Sequence, residues 1–258
     1  AIIVNSGNAN CCTGDQGMRD AVAMTRFAAS GLKISEDLIL AASTGVIGQP
    51  LDIGKIKAAM PELVKDLKSD GIANLAEAIM TTDTIPKVVS RQSEMEGKFY
   101  TVTGVAKGSG MIRPDMATML CFVVSDVNIS HGLLTETLLA ATDKSFNKIT
   151  VDGDTSTNDT ILVLANGLSD VTVKNPVHKD SFQMVLCKVL TDLAKMVVKD
   201  GEGATKLVEI IIKGALTDED AYKIADTVSN SNLVKTALFG EDANWGRILA
   251  AVGRAGIK

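Results

Sequence analysis

Thr118 is the residue with the most chemistry within reach. It closes the stretch Lys107-Gly108-Ser109-Gly110-Met111-Ile112-Arg113-Pro114-Asp115-Met116-Ala117-Thr118 and opens the apolar run Met119-Leu120. A threonine at the start of such a run is, on one reading, an ordinary strand residue, because β-branched side chains suit a pleated, half-buried surface. The residues before it support a second reading, in which the chain cuts itself between Ala117 and Thr118. The small Ala117 side chain leaves room for a tetrahedral intermediate at its carbonyl. Gly108, Gly110 and Pro114 permit the strained backbone that an N-to-O acyl shift requires. After the cut Thr118 carries a free α-amine. Such amines titrate near ~7.7–8.0, so this one can accept the proton of its own hydroxyl and activate it. The chemistry is acyl transfer.

Other groups are candidates to surround that nucleophile. Thr44-Gly45 follows a buried-looking strand and reads either as simple turn chemistry or as an oxyanion hole. In the second case a glycine lets a backbone N–H approach the developing charge and a hydroxyl adds a second donor. Lys107 reads as a solvated loop lysine or as the ligand of a substrate carboxylate. Glu202, within Asp200-Gly201-Glu202-Gly203-Ala204-Thr205, belongs to a helix-end turn or binds an amino group. Thr81 and Thr82 close a helix or supply a neutral hydrogen-bonding partner.

The remaining motifs argue against other chemistries. His131 and His178 are the two histidines. Both lie in polar connections and read as solvated, and G-x-S-x-G is absent, so a Ser-His-Asp hydrolase is disfavoured. Gly108-x-Gly110 begins like a dinucleotide fingerprint, but Arg113 stands where a glycine is needed. Asp152, Asp154, Ser156, Asn158 and Asp159 suggest a calcium loop. Such a loop starting at Asp152 needs glycine and glutamate where the chain has Thr157 and Val163. A loop whose side chains cap backbone groups, with bracing of the site as a further role, fits better, and no metal is expected.

Elements must hold these residues in place. The 258 residues are 46% hydrophobic, enough for one large domain or two small ones. Only 3% are aromatic, so the core is aliphatic and a base-stacking surface is disfavoured. The net charge of −5 disfavours a nucleic-acid backbone as partner. Cys11, Cys12, Cys121 and Cys187 form neither a disulfide framework nor a zinc motif. No apolar run is long enough to cross a bilayer, and a cytoplasmic, reducing location is expected. Strands are predicted at 1–4, 38–43, 119–124, 161–165, 206–213 and 235–239. A hairpin of 87–93 and 98–106 turns at Glu96-Gly97. Residues 5–10 read as a turn. Helices are predicted at 15–30 (stopped by Gly31), 53–67, 71–80, 133–146, 181–199, 218–228 and from 247. The class is α/β with a mixed sheet.

The stretch Lys107–Leu120 resembles the self-processing region of the ornithine acetyltransferase family. Val4-Asn5-Ser6-Gly7-Asn8-Ala9-Asn10, Ser43-Thr44-Gly45-Val46-Ile47-Gly48, residues 149–160 and 200–205, and Asn244-Trp245-Gly246-Arg247 also resemble it, in order along nearly the whole chain. The resemblance implies one catalytic domain, a layered αββα sandwich. It implies ping-pong acetyl transfer from N2-acetylornithine to glutamate in arginine biosynthesis, with acetyl-CoA as a further candidate donor and no cofactor. By motif, Thr118 is the nucleophile, Thr44 and Gly45 the oxyanion hole, and Thr81 (or Thr82), Lys107 and Glu202 substrate ligands. Family members are longer at both ends, so this chain is expected to be a piece that lacks an Asn and a Ser/Thr closing the pocket. Pieces 1–117 and 118–258 are expected to stay associated, within a higher homo-oligomer. The alternatives are an amidase or aminopeptidase on the same scaffold, or an uncleaved, non-catalytic subunit.

If the cut depends on the Thr118 hydroxyl, intact mass separates the forms. The unsubstituted chain should yield two pieces. Thr118→Ala should persist as one species of 27.1 kDa, and equal cleavage of the two proteins would rule out a threonine-dependent cut.

Overall fold

Two sheets, each with a helix-covered face, stack the described residues into four layers. The computed structural model describes residues 1–113 and 119–257. Strands β1 (Ile2–Asn8) and β2 (Leu40–Val46) form a parallel pair, with helix α1 (Gly14–Leu32) between them in sequence. Helices α2 (Ile53–Lys65) and α3 (Ile72–Ala78) follow. The second sheet has the order β3 (Lys87–Met95), β4 (Lys98–Lys107), β5 (Leu120–Ser125), β6 (Thr160–Ala165). Its first three strands are antiparallel, and β6 runs parallel to β5 after the crossover helix α4 (His131–Asp143). Then come α5 (Pro176–Lys199), α6 (Asp218–Ser229), α7 (Asn232–Phe239) and α8 (Trp245–Arg254). Among the described residues no helix is long and apolar enough to cross a membrane.

The two-residue period of the strands separates the cores. Ile3 packs with Met24, Ala28 and Met60 beneath α1 and α2. Ala42 meets Val105, Leu120 and Phe122 between the sheets, with Ala76 and Ile79 alongside. The opposite faces of β4 and β5, carrying Val102, Ala106, Cys121 and Val123, pack on Leu186, Val189, Leu190 and Leu193 of α5. The sequence of layers is helices, sheet, sheet, helices, as the αββα expectation required. The Glu96-Gly97 turn has φ of +51° and +79°, the mirror-image turn that matches strand twist.

Several elements differ from expectation. Residues 5–8 continue β1, because they pair with residues 43–46 of β2. Helix α1 runs past Gly31 to Leu32, and Lys33 caps it in the left-handed conformation. Residues 206–213 have no regular structure, and among the described residues no strand pairs with them. Residues 235–239 are helical, in α7, whose start is capped by the Ser231 side chain accepting from Val234 N. Helix α5 begins five residues early, at Pro176, with the Asn175 side chain as its cap. Ala117 and Thr118 lie outside the described residues.

Helix α5 lies so close to β4 that a Cβ on Gly104 would sit 2.8 Å from Leu193 Cδ1 and 3.0 Å from Val189 Cγ1. Gly104→Val should therefore lower stability by about 1–3 kcal/mol through overpacking. Urea denaturation measures this, and an unchanged midpoint would contradict the tight packing.

Candidate active site

Alternation along β4 puts Lys107 on the face of Val105, toward the other sheet, where Thr44 points from the end of β2. Both are 3% exposed. The Lys107 ammonium donates to Thr44 Oγ1 at 3.1 Å and to Thr81 Oγ1 at 2.8 Å. An ammonium has no lone pair, so both hydroxyls must accept, and each keeps its own O–H free to donate elsewhere. A buried cation thus orients two hydroxyls from two different elements. Lys107 is no solvated loop lysine.

Gly45, beside Thr44, has φ of +135°. A Cβ there would lie 2.2 Å from the Gly7 carbonyl carbon and 2.5 Å from Asn8 N, so only glycine lets β1 and β2 approach this closely. Glu202 is exposed, and its N–H donates to Ser109 O at 2.7 Å. Its carboxylate lies against the Gly110 backbone, where a Cβ would come within 2.8 Å of Oε1. Thr82 Oγ1 is 2.6 Å from Ser109 Oγ. Of the two threonine candidates, Thr81 therefore meets Lys107, whereas Thr82 ties the turn to the glycine-rich loop.

Behind these residues lies a group of buried charges that the sequence reading missed. Lys87 Nζ donates to Asp83 Oδ1 at 2.7 Å and to Asp200 Oδ2 at 2.6 Å. Asp83 Oδ1 also accepts from Gly108 N at 2.6 Å, and its Oδ2 accepts from Thr81 N at 3.2 Å. That Oδ2 is 3.9 Å from Lys107 Nζ. Thr84 donates to Asp200 through both its N–H and its hydroxyl. Burial works to raise the Asp83 carboxyl, but the hydrogen bonds from Lys87 and Gly108 and the two lysine charges outweigh it and hold it below its usual range. Burial lowers Lys107 below the ordinary lysine range, and the Lys87 charge adds to this. The carboxylates of Asp83, Asp159 and Glu202 oppose it. The available signal was Lys87 itself, a lysine opening a strand whose next residues are Val88 and Val89. Such a charge needs a counter-charge if it is buried.

The loop 152–160 grips the glycine-rich stretch on both sides of residues 114–118. Asp152 accepts from the N–H groups of Met111 and Ile112. Asp159 Oδ1 accepts from Met119 N at 2.8 Å. Asn158 Nδ2 donates to Ala9 O at 2.6 Å and Ser43 O at 3.1 Å, fixing the loop to the first sheet. The loop's side chains cap backbone groups, as expected of a hydrogen-bonded loop. Asp159 Oδ2 is buried and has no hydrogen-bond partner among the described residues. Burial pushes the Asp159 carboxyl up to about 7, against the Met119 N–H and the Lys107 charge.

The expectation of two solvated histidines holds for exposed His131 and fails for His178. The latter is buried, with Nδ1 3.2 Å from Thr172 O and Nε2 3.2 Å from Glu96 Oε1. Neither is a partner of Lys107, Thr44, Thr81 or Glu202 among the described residues. The structure thus unites Thr44, Gly45, Thr81, Lys107 and Glu202 around the ends of β2 and β4, next to the β5 terminus that follows Thr118 in sequence. Ala117 and Thr118 themselves lie outside the described residues.

Comparison with known proteins gives a consistent picture. The chain matches the family described as "ArgJ family" over residues 1–258. It is 54% identical over 258 residues to the arginine biosynthesis bifunctional protein ArgJ of Symbiobacterium thermophilum, covering 99% of this chain and 64% of that one. It is 52% identical over 259 residues to the glutamate N-acetyltransferase of Methanocaldococcus jannaschii, again covering 99% and 64%. The crystal structure of the Bacillus halodurans ArgJ protein superposes with a TM-score of 0.51 at 48% identity, over 53% of this chain and 65% of that one. The chain spans about two-thirds of the length of these relatives.

Asp159 gives a pH test. A free aspartate titrates near ~3.9, whereas this one holds its proton in the folded state up to about 7. Between those values the folded chain binds more protons than the unfolded chain, so Asp159's contribution to stability falls as pH rises through that window. Asp159→Asn can still accept from Met119 N. It should gain stability relative to the unsubstituted protein on going from pH 4.5 to pH 8, measured by urea denaturation at both. An equal difference at the two pH values would contradict the raised carboxyl.

Proposed function

The chain belongs to the ArgJ family, and from that premise we propose that it transfers an acetyl group from N2-acetyl-L-ornithine to L-glutamate in arginine biosynthesis. The reading places the acetyl group on Thr118 between the two half-reactions, after cleavage between Ala117 and Thr118. The observation that carries it is the Lys107 ammonium anchored by Thr44 and Thr81 within the electrostatic reach of Glu202. Acetylornithine presents an α-carboxylate and a distant ammonium. A cation and a carboxylate at one site complement those two charges.

The mechanism follows from the free amine. The Thr118 α-amine takes the hydroxyl proton as Oγ attacks the acetyl carbonyl. The oxyanion is met by the Thr44 O–H, whose lone pair is already engaged by Lys107, and by the Gly45 N–H. Collapse breaks the C–N bond and returns the proton to the ornithine nitrogen, leaving an acetyl ester on Thr118. The glutamate amine then attacks that ester and restores the hydroxyl. No cofactor enters the scheme. β4 and β5 pair from Val102↔Ser125 to Lys107↔Leu120, which supports the view that the pieces 1–117 and 118–258 stay hydrogen-bonded to each other; the reading also has this pair assemble into a higher homo-oligomer.

The test is an assay of acetylornithine with and without glutamate. Acetylglutamate should form only with glutamate present. Acetate released at the same rate with or without it would make the protein an amidase, and a single uncleaved chain with neither product would make it non-catalytic. Thr44→Val should lower kcat by about 10²–10³-fold. Lys107→Met should act mainly on KM for acetylornithine, by more than about tenfold. Acetyl-CoA in place of acetylornithine decides whether there is a second donor.

A further inference from the structure

We propose that Asp83 is a positioning residue for Lys107: its carboxylate, held back by Lys87 and Gly108, keeps the Lys107 ammonium charged and aimed without capping it. The inference rests on the reading of Lys107 as the ligand of a substrate carboxylate.

A buried ammonium needs a counter-charge to stay protonated. Lys107 is 3% exposed, and its hydrogen-bond partners among the described residues are two neutral hydroxyls. Asp83 supplies the carboxylate within ion-pair distance, but at 3.9 Å rather than in contact. Its own bonds explain the separation. Oδ1 is held by Lys87 at 2.7 Å and by Gly108 N at 2.6 Å, and Oδ2 accepts from Thr81 N. Lys87 cannot move with Asp83 toward Lys107 either, because Asp200 holds it at 2.6 Å and Ile85 O lies at 3.4 Å. One carboxylate is thus shared between two lysines.

The consequence is specific to binding an anion. A close Asp83–Lys107 pair would have to be broken by each incoming carboxylate. A neutral residue in place of Asp83 would remove the first of the carboxylates that oppose the effect of burial on Lys107. Standing back at 3.9 Å avoids both outcomes. The other charges acting on Lys107 are Asp159 and Glu202, which favour its proton, and Lys87, which opposes it.

The two aspartate–lysine links have opposite effects, and this makes the test sharp. The probe is the ε-¹³C resonance of Lys107 in lysine-labelled protein, assigned by its loss in Lys107→Met and followed with pH. Asp83→Asn should lower the titration midpoint by about one pH unit or more, about a tenfold loss of proton affinity. Lys87→Met should raise it, by removing a like charge and releasing Asp83. The KM for acetylornithine should rise in Asp83→Asn, most steeply toward alkaline pH, with kcat less affected. A purely structural role would lower melting temperature and activity alike at every pH and leave the midpoint in place, which overturns the inference. If Asp83→Asn does not fold, Lys87→Met decides, and an unchanged or lowered midpoint is the overturning result. The titration needs no turnover. A shifted midpoint with unchanged KM would therefore support the hold of Asp83 on the charge and overturn the acetylornithine reading instead.

Discussion

Four buried charges run in sequence through the centre of the site: Lys107, Asp83, Lys87 and Asp200. They sum to zero, which is why the fold can hold them out of water. Removing one member of a buried pair leaves an uncompensated charge and typically costs about 3–5 kcal/mol. The series also fixes three distant segments against one another. The turn leading from α3 into the start of β3 supplies Asp83 and Lys87, the end of β4 supplies Lys107, and the C-terminus of α5 supplies Asp200. The glycine-rich loop joins through Gly108 N, and the Glu202 backbone joins through Ser109 O. Lys107 has its place because of this frame rather than because of its own strand alone.

A second constraint acts on the backbone around Thr118. β4 and β5 remain paired up to Lys107↔Leu120, so the intervening residues leave and return at adjacent strand ends. The loop 152–160 holds the same stretch from outside, through Asp152 on one side and Asp159 on the other. Asn158 anchors that loop to the first sheet. The nucleophile proposed at Thr118 is therefore flanked by backbone that is held at both ends. The hydroxyls that would serve it come from the opposite sheet and from the turn after α3, and the charge comes from the end of the neighbouring strand β4.

Elements set by local interactions were legible in the chain. The Glu96-Gly97 hairpin was readable because its turn needs two residues with positive φ and its strands alternate. The long helices were readable from their periodicity, with errors at the ends where caps such as Asn175 decide the boundary. The errors fall where the deciding partner is distant. Residues 206–213 are rich in β-formers, but a strand exists only if another strand pairs with it. Residues 235–239 read as a strand from their apolar content, whereas the Ser231 cap starts a helix that includes them. His178 read as solvated because Glu96 and Thr172, which cover its ring, are far away in sequence or on another element.

The sequence alone determined the family resemblance, the layered class and the identities of Thr44, Gly45, Thr81, Lys107 and Glu202 as candidates, because motif spacing and side-chain chemistry are written into it. It could not determine that Lys107 is buried, that Thr81 rather than Thr82 meets it, or that Asp83, Lys87 and Asp200 stand behind it. Those facts depend on electrostatics between segments up to 116 residues apart. Burial changes the meaning of a charge, from a solvated group to one that must be answered by another. Only the packing of the two sheets says which charges are buried together.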